Sequence, residues 1–166
     1  METNDVKWLV LRTRCRHEYA VETCLRQKRI NSYLPRLKRI RSTKSQKKEV
    51  EVPLFPGYIF VQPSEDQFEA IRFIRGSCGL VRTGTRPAKL KEAELQSVRI
   101  LVQSSVSLKV DSHLATGCRV KVIEGSLAGA IGYIVRVKNH VRLVINVELI
   151  NCSVSVEVDA HTVCAI

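Results

Sequence analysis

Residues 53–60 read PLFPGYIF. Proline cannot donate to a strand ladder, and glycine weakens a strand interior. Pro53 and Pro56 should therefore stop ladder pairing, and Gly57 lets the chain turn back, so that GYIFVQ (57–62) starts a new strand. Just upstream, EVEV (49–52) alternates and reads as the return arm of a hairpin. Phe55, held between two prolines, has no alternation to direct it inward. Either it fills the core of its own domain, or it forms an exposed apolar rim of the kind that marks a protein–protein site. The rim is the expectation carried forward.

Outward from this stretch the elements alternate in type. KWLVLRT (7–13) reads as a strand, and residues 17–30 place Ala20, Val21, Cys24 and Leu25 on one helical face. SYLPRLKRI (32–40) is strand-like but broken at Pro35. Ser64 before Glu65 and Asp66 is an N-cap with an acidic first turn, opening a helix that carries Phe68, Ile71 and Ile74 and ends at Gly76. CGLVRTG (78–84) is a further strand, and KEAELQSVRILVQ (91–103) is an amphipathic helix. Mixed signals of this kind predict an α+β class, with an N-terminal α/β sandwich. QSSVSLKVDSHLATG (103–117) reads as a linker. Beyond it, CRVKVIEG, IGYIVRVK, VRLVINVEL and SVSVEVD are four short Val/Ile-rich runs, which predict a small β-barrel. In the last run Val154, Val156 and Val158 share one face, and Ser153, Ser155 and Glu157 the other. Gly125, Gly129 and Gly132 make the turn between the first two barrel strands.

Charge divides the chain as the elements do. The formal net charge is +11. Residues 1–103 hold 21 Lys and Arg against 11 acids, and residues 104–166 hold 6 against 5. Such an excess calls for an anionic partner, most often nucleic acid. Residues 26–48 carry ten Lys or Arg and no acid, with Tyr33, Leu34, Leu37 and Ile40 interleaved. This pattern predicts a folded basic flank and a polar hairpin tip (41–48) that touch phosphates without reading bases. Arg12, Arg14 and Arg16 alternate at the exit of the first strand. If the extension persists, their guanidiniums share one face, suited to phosphates and base edges.

Chemistry of other kinds finds no support. The chain contains no phosphate-binding glycine loop, nucleophile elbow or paired carboxylates, so an enzyme is not expected. His17-Glu18 opens a helix as a polar cap or a phosphate contact, without a third catalytic member. The six cysteines form no C-x-x-C pair and read as buried free thiols, so neither a metal nor another cofactor is expected. The start METNDVKW has no apolar signal region, and no run approaches a membrane span, which predicts a cytoplasmic protein without a membrane partner.

Taken in order, WLVL, the RHE-initiated helix, YLP, the basic hairpin, PLFPGYIFV, CGLVR and VKVIEGSLAGAIG resemble the NusG-type transcription elongation factors. Residues 1–103 (from residue 7) resemble an NGN domain, 104–112 a linker and 113–166 a KOW domain, an SH3-like barrel. RTRCRHEYAV and PLFPGYIFV look most like the specialised, operon-targeted RfaH and UpxY types. The resemblance implies a regulator that docks on the clamp helices of RNA polymerase and promotes antitermination. Its docking residues would be Trp8, Arg12, Phe55, Tyr58 and Phe60. Gln67, Phe68 and Glu69 stand where such a factor touches the opposite pincer. Contact with the non-template DNA strand, or with nascent RNA, would fall to Arg14, Arg16, His17 and Arg75. Cys24 and Gln27 stand where RfaH-type factors have basic or His side chains, so the sequence read need not be theirs. The barrel would meet a ribosomal protein or RNA through Lys138, Asn139, His140, Arg142 and Ile150. Ile150 and Asn151 stand where the housekeeping factor has an aromatic contact, which argues against strong binding of the termination factor. The alternating strands favour a barrel over a helical hairpin, and the chain is expected to be a monomer. The competing reading is an RNA- or ribosome-binding module acting through the barrel.

Overall fold

The computed structural model describes residues 7–112 and 117–166; the expected start of the barrel domain at 113 lies outside them. The chain divides into two compact units, Met1–Leu90 and Lys91–Ile166. In the first, the strands are β1 (Leu9–Thr13), β2 (Asn31–Tyr33), β3 (Arg36–Ser42), β4 (Lys47–Pro53), β5 (Tyr58–Gln62), β6 (Ser77–Leu80), β7 (Arg82–Thr83) and β8 (Arg86–Pro87). Its helices are α1 (Glu18–Gln27) and α2 (Phe68–Arg72). The second unit comprises α3 (Glu92–Gln103), β9 (Lys109–Ser112), β10 (Cys118–Val122), β11 (Ile131–Val137), β12 (His140–Val147), β13 (Cys152–Glu157) and β14 (Val163–Ala165). The fold is the mixed α+β class expected.

The N-terminal unit is built on an antiparallel sheet ordered β2-β5-β1-β6. Alternation along β1 and β5 sends Leu9, Leu11, Ile59 and Val61 to one face, where they meet Val21 and Leu25 of α1 and Ile71 and Ile74 near α2. Ala20, expected on the buried face of α1, is exposed. The other face presents Val10 and Arg12 from β1, paired with Phe60 and Tyr58 on β5, and Trp8 directly precedes β1. The helix expected after Ser64 begins as a 3-10 turn with a capping box: the Ser64 amide donates to Gln67 Oε1 at 3.1 Å.

The β3–β4 ladder runs from Arg36↔Pro53 to Ser42↔Lys47, so pairing persists through Pro53 at the base of the hairpin and stops after it. Its tip closes by a bond from the Thr43 amide to the Gln46 carbonyl, 2.9 Å.

In the second unit, β14-β10-β11-β12-β13-β9 form one antiparallel sheet. This corrects the linker: Lys109–Ser112 is a strand, pairing with β13 through Val154↔Val110. The serine composition that signalled a connector is compatible with an edge strand, because Val110 still supplies an apolar position. Ser153 and Ser155 are buried as well as Val154 and Val156, and Ser153 Oγ donates across the ladder to Asn146 Oδ1. Helix α3 packs on β11 and β12, with Ser97 Oγ accepting from the Ile131 amide at 2.9 Å. Gly132 is required by closeness: a Cβ there would lie 2.4 Å from the Val144 carbonyl oxygen.

The expectation of buried thiols is corrected. Cys15, Cys78, Cys118 and Cys164 are exposed and Cys24 and Cys152 half-buried, all free. Cys15 lies in a turn, and Cys78 and Cys164 lie on edge strands, where one flank has no neighbour. Among the described residues no helix is long and apolar enough to cross a membrane.

Candidate nucleic-acid interface

One end of the N-terminal sheet gathers the expected site residues. β1 ends there, β5 and β6 begin there, and three turns close over it. The first is PLFPGY. Phe55 is 2% exposed, with its ring edge-on to Phe60 at 6.0 Å and 72°. Phe60, 1% exposed, stacks in turn on Tyr33 at 6.3 Å. The Leu54 amide donates to the Pro35 carbonyl and the Tyr58 amide to the Phe55 carbonyl, so the segment folds back onto its own sheet. The exposed rim is therefore corrected: Phe55, Phe60 and Trp8 are buried and fill the core. What the turn leaves accessible is Arg12, exposed, and Tyr58, half-buried, directly paired across β1 and β5.

Glu18 explains why the turn holds its shape. The carboxylate is buried and its Oε1 accepts the Gly57 amide at 2.8 Å, while the Gly57 carbonyl accepts the Thr13 amide at 2.8 Å. Gly57 has φ +86, a conformation natural to glycine. The His-Glu pair thus has a structural half. Glu18 pins the proline turn, and His17 makes no side-chain cap.

The second turn holds Arg14, Cys15, Arg16 and His17. The strand stops at Thr13 and Arg16 has φ +64, so the arginines do not share an extended face as expected. They are fanned around a tight turn: the His17 amide donates to the Arg14 carbonyl at 3.1 Å, and His17 Nδ1 lies 3.0 Å from the Cys15 carbonyl. The third turn, Ile74 to Ser77, closes by Ser77 N–H to Ile74 O at 2.9 Å. The two turns are fastened together. The Arg14 amide donates to the Gly76 carbonyl at 2.8 Å, and a Cβ on Gly76 (φ +94) would sit 2.8 Å from His17 Cβ. Arg14, Arg16 and Arg75 are exposed, and His17 is half-buried. Neither Arg14, Arg16 nor Arg75 pairs with a carboxylate among the described residues.

The basic hairpin is mounted on the same unit. Arg36 pairs with Glu22 of α1 and lies over the Tyr19 ring at 5.2 Å, and Tyr19 Oη donates to the Glu51 carbonyl at 3.1 Å. The base is clamped, while Lys38, Arg39, Arg41, Lys44, Lys47 and Lys48 stand exposed along the arm.

The remaining candidates separate by burial. Gln67 is partly committed to its capping box, Phe68 packs on the core, and only Glu69 is fully exposed. At the β11–β12 tip, Lys138 (φ +55) and Asn139 are exposed. His140 Nδ1 meets Glu157 Oε1 at 2.7 Å, and Arg142 donates to Ser155 Oγ and the Ser155 carbonyl, both at 3.1 Å. Ile150 is buried and is removed as a surface contact. Gly125 (φ +84) and Gly129 (φ +93) form the expected turn, where the Gly129 amide donates to the Val122 carbonyl. Sequence reading missed Phe73, which is exposed beside Arg72 and Arg75.

Comparison with known proteins identifies the family. The family described as "Transcription termination factor nusG" matches residues 6–99. The transcription termination/antitermination protein NusG of Lactococcus lactis is 24% identical, covering 96% of this chain and 92% of that protein. Its namesake from Deinococcus radiodurans is 26% identical, covering 78% and 83%. A solved structure of Thermotoga maritima NusG superimposes with a TM-score of 0.54 at 21% identity, covering 96% of this chain and 97% of that one. The match takes in the proline turn, the arginine turns and the hairpin alike, and with it the chain belongs to the NusG family.

Proposed function

We propose that the chain is a non-enzymatic regulator of transcript elongation that rides RNA polymerase and favours antitermination. Supporting this are the names of its relatives as termination/antitermination proteins and the family match across the N-terminal unit. The observation that carries the reading is the single sheet end where Arg12 and Tyr58 stand beside the turns of Arg14, Arg16 and Arg75. Arg12 and Tyr58 contact the polymerase clamp helices, with Phe55, Phe60 and Trp8 packed behind them as support. The arginine turns and the hairpin arm meet the phosphates of the exposed non-template strand or the transcript. Residues 1–103 act as the polymerase-binding part, a span that includes the family match at 6–99. The C-terminal sheet recruits a further partner, such as a ribosomal protein, through Lys138 and Asn139. Action at particular operons rests on the resemblance of RTRCRHEYAV and PLFPGYIFV to the specialised types.

The test is competition of the full chain with the housekeeping elongation factor for core RNA polymerase. Wild type should compete, and Arg12→Ala with Tyr58→Ala should weaken binding by roughly 1–3 kcal/mol, as aromatic and arginine anchors do. Failure to compete, with salt-sensitive RNA binding in the absence of polymerase, would replace this reading by RNA binding through the barrel.

A further inference from the structure

Phe73 is 78% exposed, the most exposed large apolar side chain among the described residues. It ends α2 and directly precedes the Ile74–Ser77 turn. Ile71 and Ile74 on either side of it are buried, so the backbone that holds Phe73 outward is anchored to the core. Arg72 precedes it and Arg75 follows two residues later, both exposed and without a carboxylate partner among the described residues. The fastening of Gly76 to Arg14 and His17 brings Arg14 and Arg16 into the adjoining turn. Arg72 also edges an open groove of about 680 Å³ with Arg82 on its lining, floored by Ile71 and Leu80, with Glu69 the acid among its lining residues.

A lone exposed aromatic is ordinary on a protein surface. A ring on a core-anchored backbone, with arginines before and behind it in the chain and in the adjoining turn, is a different object. Bases of an unpaired strand stack on aromatic faces whatever their identity, and neighbouring guanidiniums hold the phosphates that join them. A docked protein helix would want a wider apolar surface, and here the exposed residues that flank Phe73 in the chain, Arg72 and Arg75, are cationic. We infer that Phe73 is a stacking platform for one base of a single-stranded nucleic acid, its flanking phosphates held by Arg75 and the Arg14–Arg16 turn. This rests on the nucleic-acid reading of the arginine turns and adds a residue and a binding mode to it. Stacking tolerates any base, so Phe73 fixes where the strand lies, and base preference comes from other side chains.

The experiment uses the full chain bound to an assembled RNA polymerase elongation complex. Its non-template strand carries 2-aminopurine at each exposed bubble position in turn. Wild type should quench the probe at one position, as stacking does. Phe73→Ala should lose that quench while occupying the polymerase as before, and Phe73→Trp should restore it. Affinity for the strand should fall roughly fivefold to a hundredfold in Phe73→Ala. Arg75→Ala should lower the dependence of binding on salt, which Phe73→Ala leaves unchanged. Quenching that persists in Phe73→Ala overturns the platform and leaves the arginine reading in place. Wild type that occupies the complex but quenches nowhere, with Arg75→Ala without effect, overturns both. Phe73→Ala that instead loses polymerase occupancy makes Phe73 a protein contact and overturns the inference.

Discussion

Replacing Phe55 by Ala removes a ring packed edge-on against Phe60 and leaves a void behind the proline turn. The expected loss is about 3–5 kcal/mol of stability, read as a lowered denaturant midpoint. Polymerase affinity of the fraction that remains folded should stay near wild type. The opposite pattern, normal stability with lost affinity, would make Phe55 a direct contact. Gly76→Ala tests the fastening of the arginine turns, since a Cβ there meets the His17 ring at φ +94. It should cost on the order of 1–3 kcal/mol and weaken strand binding without removing a charge. The two phenylalanines show what side-chain order reveals. Proline on both sides of Phe55 hid its direction, because only tertiary bonds from Leu54 and Tyr58 decide it. Phe73 could have been found. The i, i+3 series Phe68, Ile71, Ile74 takes the inward face, and Phe73 falls outside it.

Helices and strands with strong periodicity were legible, and their ends less so. β1, α1, β5 and α3 lie within a few residues of their expected bounds, because alternation and helical spacing were clear there. β9 was hidden because its serine-rich surroundings read as a connector, and a strand whose order comes from pairing with β13 leaves little local trace. Whether the extension persists past Thr13 was not legible, because nothing in RTRCRH announces the left-handed Arg16. Two predictions belong to elements. Reversing Lys44, Lys47 and Lys48 to Glu should lower nucleic-acid affinity and reduce the salt slope by roughly one for each phosphate no longer neutralised, with stability unchanged. The first turn of α3 should respond to pH. Burial raises the Glu94 carboxyl above its ordinary value, Lys91 opposes this, and Glu148 adds to it. A folded-state value above the unfolded one means that folding binds a proton more tightly. Glu94 therefore favours the folded state most at acid pH, and that contribution falls as pH rises from about 4.5 through the raised value. Chemical denaturation across this window should show the fall in wild type and lose it in Glu94→Gln.

At the scale of the whole chain, charge is unevenly divided. Nearly all the positive excess lies in residues 1–103, while the C-terminal sheet is close to neutral. Reversing Lys138 should therefore leave the salt dependence of nucleic-acid binding almost unchanged, whereas Arg75→Ala should lower it. Equal effects would spread the phosphate-binding groups over both units. The class of fold, with an α/β unit followed by a β-rich one, was readable from pattern and composition. The inward direction of Phe55 was not, since it depends on how the proline turn folds back onto the sheet.

The clamped base and solvated length of the β3–β4 arm have a bearing on how this chain could diverge. Its seven-residue strands extend about 24 Å, and its tip is anchored by little more than the Thr43–Gln46 closure. Pairs of residues can be inserted or deleted near Lys44 and Ser45 without disturbing α1, the proline turn or the core. Each step would lengthen or shorten the arm by about 3.4 Å and leave the existing pairs in register. The arm is thus a graduated ruler. A photo-reactive residue at position 45, on arms of different length, would chart how far the nearest nucleic acid runs from the body of the protein.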